Sequence, residues 1–176
     1  MKIGIIGDIH ADQNNIKETD IGMSNLLNVL YDHDVQWLLV TGDIFHDFNI
    51  GGKENSFGNV FDSINRPLND FLKEKEKNSI SMIPGNHDTP TDKNSKDALY
   101  SFDYRKNLHI SRNIRSFNIG ENVTIATLPW MWSTMYKDKN EILTRLKEIR
   151  EVTKSNTNIL IGHCEIEGSE LPNGYA

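Results

Sequence analysis

Pro84-Gly85-Asn86-His87-Asp88 follows the apolar run Ile80 to Ile83, so a short strand is expected to end in a turn carrying an amide oxygen, an imidazole and a carboxylate. One Asn-His pair after a strand says little. Three other apolar runs end the same way. Lys2 to Ile6 leads into Gly7-Asp8-Ile9-His10, Gln36 to Val40 into Thr41-Gly42-Asp43-Ile44-Phe45-His46, and Asn158 to Ile161 into Gly162-His163. Four buried-looking strands, each followed by Gly and a ligand-type side chain, predict one site at the carboxyl edge of a sheet.

The intervening sequence alternates between the two periods. Ala11 to Glu18 reads as a polar loop, with Thr19 or Asp20 as helix cap, and Met23, Leu26, Leu27 and Leu30 then recur at helical spacing. A helix between two apolar strands is a βαβ unit, which implies parallel pairing. The loop from His46 to Gly58 is rich in Gly and Asn. A second helical pattern runs from Val60 to Lys77, with Pro67 either kinking it or opening a second segment. Asp97 to Tyr104 is expected to form a short helix. Leu108 to Ile110, Ile114 to Ile119 and Val123 to Leu128 read as shorter strands in an antiparallel regime, with Gly120-Glu121-Asn122 as a hairpin turn. Ile142, Leu143, Leu146, Ile149 and Val152 restore helical spacing, with Glu141 and Arg145 as an i,i+4 pair.

Size and charge set the outer bounds. The 176 residues, 37% hydrophobic and 25% charged with a mean hydropathy of −0.53, fit one soluble globular domain. No apolar stretch approaches the roughly 20 residues of a membrane span, and Met1-Lys2-Ile3-Gly4 runs straight into the first strand, so no signal peptide is expected. A cytoplasmic location, bacterial or that of an infected host, and no membrane partner are expected. The single cysteine, Cys164, excludes an internal disulfide framework. A net charge of −6 argues against a broad basic face for nucleic acid, but not against phosphate chemistry, because bound divalent ions reverse the local sign.

The residue types point to a metal site. Asp8 and His10, two apart, would point the same way from an extended segment and chelate one ion together. Asp43 has two carboxylate oxygens and can bridge two ions. Asn86 and His163 add oxygen and nitrogen donors that suit manganese, iron or zinc better than calcium. Two ions about 3.5–4 Å apart would activate water and stabilise in-line displacement at phosphorus. His87 would point into that clamp, titrating near neutrality, to stabilise equatorial oxygens or protonate the leaving oxygen. Singly, each motif has a structural reading: Gly-Asp as a turn, Asn86-His87-Asp88 as a helix cap with a surface histidine. Jointly, four such strand ends favour the site.

The series Gly7-Asp8-Ile9-His10, Gly42-Asp43, Gly85-Asn86-His87-Asp88 and Gly162-His163 resembles the calcineurin-like metallophosphoesterase superfamily. Gly42-Asp43-Ile44-Phe45-His46, Leu128-Pro129-Trp130-Met131 and Gly162-His163-Cys164-Glu165-Ile166-Glu167-Gly168 are similar to its DNA-repair exonuclease branch, the SbcD-type and tailed-phage recombination nucleases. The resemblance implies a four-layer α/β fold, two sheets packed face to face with helices outside. It implies that Asp8, His10 and Asp43 hold one ion and Asp43, Asn86 and His163 the other, both Mn2+, with His87 catalytic. His46 matches a histidine that helps place a nucleic-acid end. DNA and an SMC-like ABC-type ATPase are the implied partners. The family pattern closes with Gly-His-x-His, and no such element follows His163. Residues 1–176 are therefore expected to be the amino-terminal part of the domain, without the closing strands and capping domain, and to associate as a homodimer through an uncovered sheet.

Phosphodiester hydrolysis on DNA ends or junctions is the expected activity. A phosphoesterase acting on a phosphoprotein or cyclic nucleotide is the alternative, and a non-catalytic module docking an ATPase or DNA is a third reading. Trp130 and Trp132 could stack on bases but read more simply as hydrophobic contacts. His33 and His109 read as surface or satisfied-core residues, and Arg105, Lys106, Arg112 and Arg115 as hairpin-surface charges rather than a phosphate track.

Overall fold

The computed structural model describes residues 1–48, 56–91, 95–130, 139–152 and 157–164. Ile3–Ile6 (β1), Trp37–Val40 (β2), Ser79–Met82 (β3) and Leu108–Ile110 (β4) form one sheet in that order, all parallel. Ile6 pairs with Val40, and Val40 with Met82, so the first three strands end level. Their following turns therefore lie side by side. Arg115–Ile119 (β5), Val123–Leu128 (β6) and Thr157–Gly162 (β7) form a second sheet, β5 antiparallel to β6 and β6 parallel to β7.

Alternation along β2 shows how the layers are joined. Leu38 and Val40 face Met23 and Leu30 of Ile16–Asp32 (α1) and Ile64 and Phe71 of Ser56–Glu74 (α2), while Leu39 faces the other way. There Leu39 and Ile83 meet Ile119, Ile125 and Ile161 of the second sheet. A strand buried on both faces needs a continuous apolar run, and Trp37-Leu38-Leu39-Val40 supplies one. The helix Lys139–Val152 (α3) lies in the crossover between β6 and β7. Two sheets with flanking helices are the architecture the sequence predicts.

Several local expectations are corrected. The fourth apolar run, β4, extends the first sheet in parallel, because the chain crosses over through a short 3-10 turn, Ala98–Phe102, instead of reversing. The antiparallel regime begins at β5 and contains the predicted hairpin, with Gly120 at φ +68°. Helix α1 starts at Ile16, inside the predicted loop, so neither Thr19 nor Asp20 caps it; Asn15 occupies the cap position. Pro67 lies inside an unbroken α2 and is buried, so the helix forgoes one N–H donor without ending. The Glu141–Arg145 side chains lie outside the described set, as do Trp132 and residues 165–176. No helix among the described residues is long and apolar enough to cross a membrane.

The two leucine environments give a direct check on this layering. Leu39 is fully buried between the sheets, whereas Leu160 on β7 is 59% exposed. Leu39→Ala should cost about 2–5 kcal/mol in urea unfolding, and Leu160→Ala should stay within about 0.5 kcal/mol. Equal costs would mean that the inter-sheet core does not carry the fold.

Candidate metal centre

The turns after β1 and β2 continue as a ladder beyond the strands. The Asp8 N–H donates to Gly42 O at 3.1 Å, the His10 N–H to Asp43 O at 2.9 Å and the Ala11 N–H to Ile44 O at 2.9 Å, closing in a parallel bridge between Ala11 and Phe45. Asp8, His10 and Asp43 all take positive φ, at 54°, 49° and 48°. Non-glycine residues are uncommon there, and such strain concentrates at functional sites. Asp8 and His10 thus meet through a left-handed turn and not, as the spacing argument assumed, through an extended segment. Their ligand atoms and that of Asp43 lie within 4.8 Å of one another.

Asp43 stands at the centre. It is 3% exposed, its Oδ1 accepts the His87 N–H at 2.9 Å, and its Oδ2 lies 3.6 Å from His10 Nε2 and 3.4 Å from His163 Nε2. Glycine is required on both sides of it. A Cβ on Gly42, at φ +100°, would sit 2.6 Å from His163 Nδ1, and one on Gly85 would overlap the Asp43 carboxylate. His163 reaches this point from the second sheet, its N–H bonded to Leu128 O at 3.0 Å. The site therefore spans the carboxyl edges of two sheets rather than one.

Hydrogen bonding fixes two of the imidazoles. Thr41 O can only accept, so the 2.9 Å contact makes His163 Nδ1 the donor and leaves Nε2 as a lone pair. That lone pair faces Asn86 Oδ1 at 2.9 Å and Asp43 Oδ2 at 3.4 Å. In the neutral ring these are three acceptors facing one another, an arrangement a cation relieves. His87 Nδ1 likewise donates to His46 O at 2.6 Å, leaving its Nε2 available. The His46 ring, exposed at the rim, stacks on His87 at 5.2 Å, and His10 meets the His87 ring edge-on at 4.7 Å. Asp8, Asn86, Trp130, Gly162, His163 and Cys164 line an adjoining cleft of about 360 Å³.

Three supporting residues had no role in the sequence reading. Asp88, fully buried, accepts N–H groups from Gly85, Phe45 and Ile44 at 2.9, 3.0 and 3.3 Å and so staples the β3 turn to the β2 turn. Burial pushes its carboxyl above the usual range, those three donors oppose the shift, and the Asp43 charge adds to it. Asn15 makes no side-chain cap to the α1 backbone: Nδ2 donates to His10 O at 2.9 Å, and Oδ1 accepts the Asp12 N–H at 2.8 Å and the Thr19 hydroxyl at 3.1 Å. Thr41 O sets the His163 tautomer. Only Asn15 had a visible signal, an Asn just ahead of an amphipathic helix.

Other predicted residues lie elsewhere. Arg112 pairs with Asp97 and Asp103, Arg105 bonds to Asn69, and Arg115 bonds to Ser111 Oγ and Ile110 O, so these arginines are tied locally. His33 is exposed, and His109 stacks on Trp37 at 6.3 Å. Trp130 meets His163 edge-on at 6.2 Å, and its backbone N–H donates to Pro84 O at 3.0 Å.

A two-sheet α/β scaffold with carboxylate, amide and imidazole donors gathered at its strand ends defines a metal-dependent phosphoester hydrolase by class. A model of the calcineurin-like phosphoesterase family matches residues 1–175, and the chain belongs to that family. No curated protein matches the sequence. Among solved structures the chain is similar to a nuclease, MPE, of Pseudomonas putida, with 16% identity and a TM-score of 0.38 over 74% of this chain. The match spans 56% of that protein's length.

The Asp88 staple can be tested by itself. Asp88→Asn places an amide donor against backbone donors, so unfolding free energy should fall by about 1–3 kcal/mol. An unchanged denaturation midpoint would show that the staple contributes nothing.

Proposed function

We propose that the chain is a two-metal phosphodiesterase acting on DNA ends or junctions, the nuclease subunit of a repair or recombination complex of the SbcD type. The observation that carries this reading is the convergence of His163 Nε2, Asn86 Oδ1 and Asp43 Oδ2, with the other His163 nitrogen already committed to Thr41 O. That donor set fits divalent ions, and the His163 Nδ1–H held by a backbone carbonyl is the outer hydrogen bond that orients metal-ligating imidazoles. Asp8, His10 and Asp43 would hold one ion and Asp43, Asn86 and His163 the other. Mixed oxygen and nitrogen donors favour Mn2+ over calcium or magnesium. Bound there, the ions would supply Lewis-acid polarisation of the phosphoryl group and an activated water.

The chain's own residues then divide the remaining work. Asp43, buried and shared, fixes the separation of the two sites. His87, whose Nδ1–H is committed to His46 O, would act as the imidazolium: its Nε2–H passes to the leaving oxygen as the phosphodiester breaks, which returns the ring to the neutral Nδ1–H form. The exposed His46 ring stacks on His87 and would contact the nucleic-acid end. Trp130, in the cleft beside Asn86 and His163, offers an aromatic edge to a base. An SMC-like ABC-type ATPase is the proposed partner. The named arginines are engaged locally, which favours substrate placement by a partner over capture on a basic face.

A manganese titration separates binding from chemistry. Asp43→Asn should weaken manganese binding at both sites, whereas His87→Gln should bind manganese as wild type and lose about 10²- to 10⁴-fold in kcat. Equal loss of binding in both variants would refute the division of roles. Manganese-dependent release of nucleotides from linear DNA, set beside hydrolysis of a simple phosphodiester, distinguishes the nuclease from a general phosphodiesterase, and activity on neither would leave a docking module. Manganese should also raise the melting temperature by mass action. A larger rise with calcium or magnesium would overturn the assignment of nitrogen ligands.

A further inference from the structure

His10, His46 and His87 offer three nitrogens within 4.8 Å of one another, and this set excludes Asp8 and Asp43. We propose that these three histidines form a second, nitrogen-only binding mode for a zinc-class transition ion, and that such an ion antagonises manganese at the candidate centre. The antagonism rests on the function proposed above; the zinc binding does not.

The geometry is close to what a zinc-class ion needs. Tetrahedral zinc with bonds of about 2.0–2.1 Å sets its nitrogens about 3.4 Å apart, so the three rings need to close by little more than an ångström. Two of the rings have room to adjust. His46 is exposed, and His10 Nδ1 is buried with no hydrogen-bond partner, so the His10 ring is not pinned on that side. The bond from His87 Nδ1 to His46 O fixes the tautomer that leaves Nε2 as a ligand. A fourth position stays open on the exposed rim.

Donor chemistry separates the two modes. Imidazole-only sites favour zinc, copper and nickel, and manganese is the weakest binder in the first-row series, whereas Asp8, Asp43 and Asn86 give the other set its oxygen character. His10 belongs to both sets, and a ring drawn toward the triad would leave its place beside Asp8 and Asp43. His87 would be withdrawn from the leaving oxygen at the same moment. Zinc bound to the triad thus removes one manganese ligand and the proposed acid together.

Calorimetric zinc titration of the 176-residue chain, with cobalt absorption as the report of tetrahedral geometry, tests the triad. Even outer-sphere partners of a metal are worth about 10- to 100-fold in affinity, so His46→Ala and His87→Ala should each weaken zinc at least about tenfold and abolish the visible cobalt band. Asp8→Asn should retain both. His46→Ala keeps the backbone carbonyl that holds His87, and far-ultraviolet circular dichroism checks that the variants are folded. Zinc affinity that survives both histidine variants and falls in Asp8→Asn would place the ion in the carboxylate set and sink the proposal. One equivalent of zinc should release one of two bound manganese ions, the one that shares His10, read from the manganese paramagnetic resonance signal. Two manganese ions that stay bound beside zinc would overturn the antagonism. A chain that takes zinc through the triad but never takes manganese supports the triad and refutes the function above.

Discussion

A carboxylate removed from water must be compensated by hydrogen bonds or by positive charge, and Asp43 is the place where this protein meets that requirement. One oxygen takes the His87 N–H; the other looks out at two imidazoles and toward the Asn86 amide oxygen. The neighbouring Asp88 is buried as deeply and accepts three backbone N–H groups, from Ile44, Phe45 and Gly85. Two buried carboxylates side by side raise each other's cost. Sharing one of them with cations would lower that cost, at the point to which the turns after β1, β2, β3 and β7 deliver donors.

The two-sheet packing serves this convergence. Leu39, Ile83, Ile119, Ile125 and Ile161 hold the sheets together a few residues from the site, and the burial of each large side chain contributes about 1.5–3 kcal/mol. His163 comes from the second sheet and Asn86 from the first, so their 2.9 Å approach depends on that apolar contact being intact. Tight backbone approach at Gly42 and Gly85 does the rest, since a side chain at either position would push the donors apart.

The strand ends were readable because each joins a short apolar run to Gly and a ligand-type residue, a pattern that needs only local sequence. What decides pairing is not local. Leu108 to Ile110 has the composition of any short strand, and its parallel placement follows from a crossover that leaves no mark in those three residues. The sheet that supplies His163 depends on pairing with Val123–Leu128. The left-handed turn at Asp8 and His10 was hidden for another reason: alternation predicts a shared face, and the structure reaches a similar proximity through a different backbone. Asn15 was assigned to a loop because its helix begins with polar residues, which dilute the apolar periodicity that marks a helix start.

The ladder that joins the turns after β1 and β2 uses backbone atoms, while the side chains it presents leave from left-handed residues. Outside glycine, Asn, Asp and His are the residues most enriched in that conformation. These are also oxygen and nitrogen donors. The backbone thus restricts the alphabet at positions 8, 10 and 43 to groups that can ligate, whatever ion is selected. Substitution within that alphabet would change the hardness of the donor set while leaving the placement of the Cα atoms to the ladder, so metal preference can drift in such a scaffold without the fold having to be rebuilt.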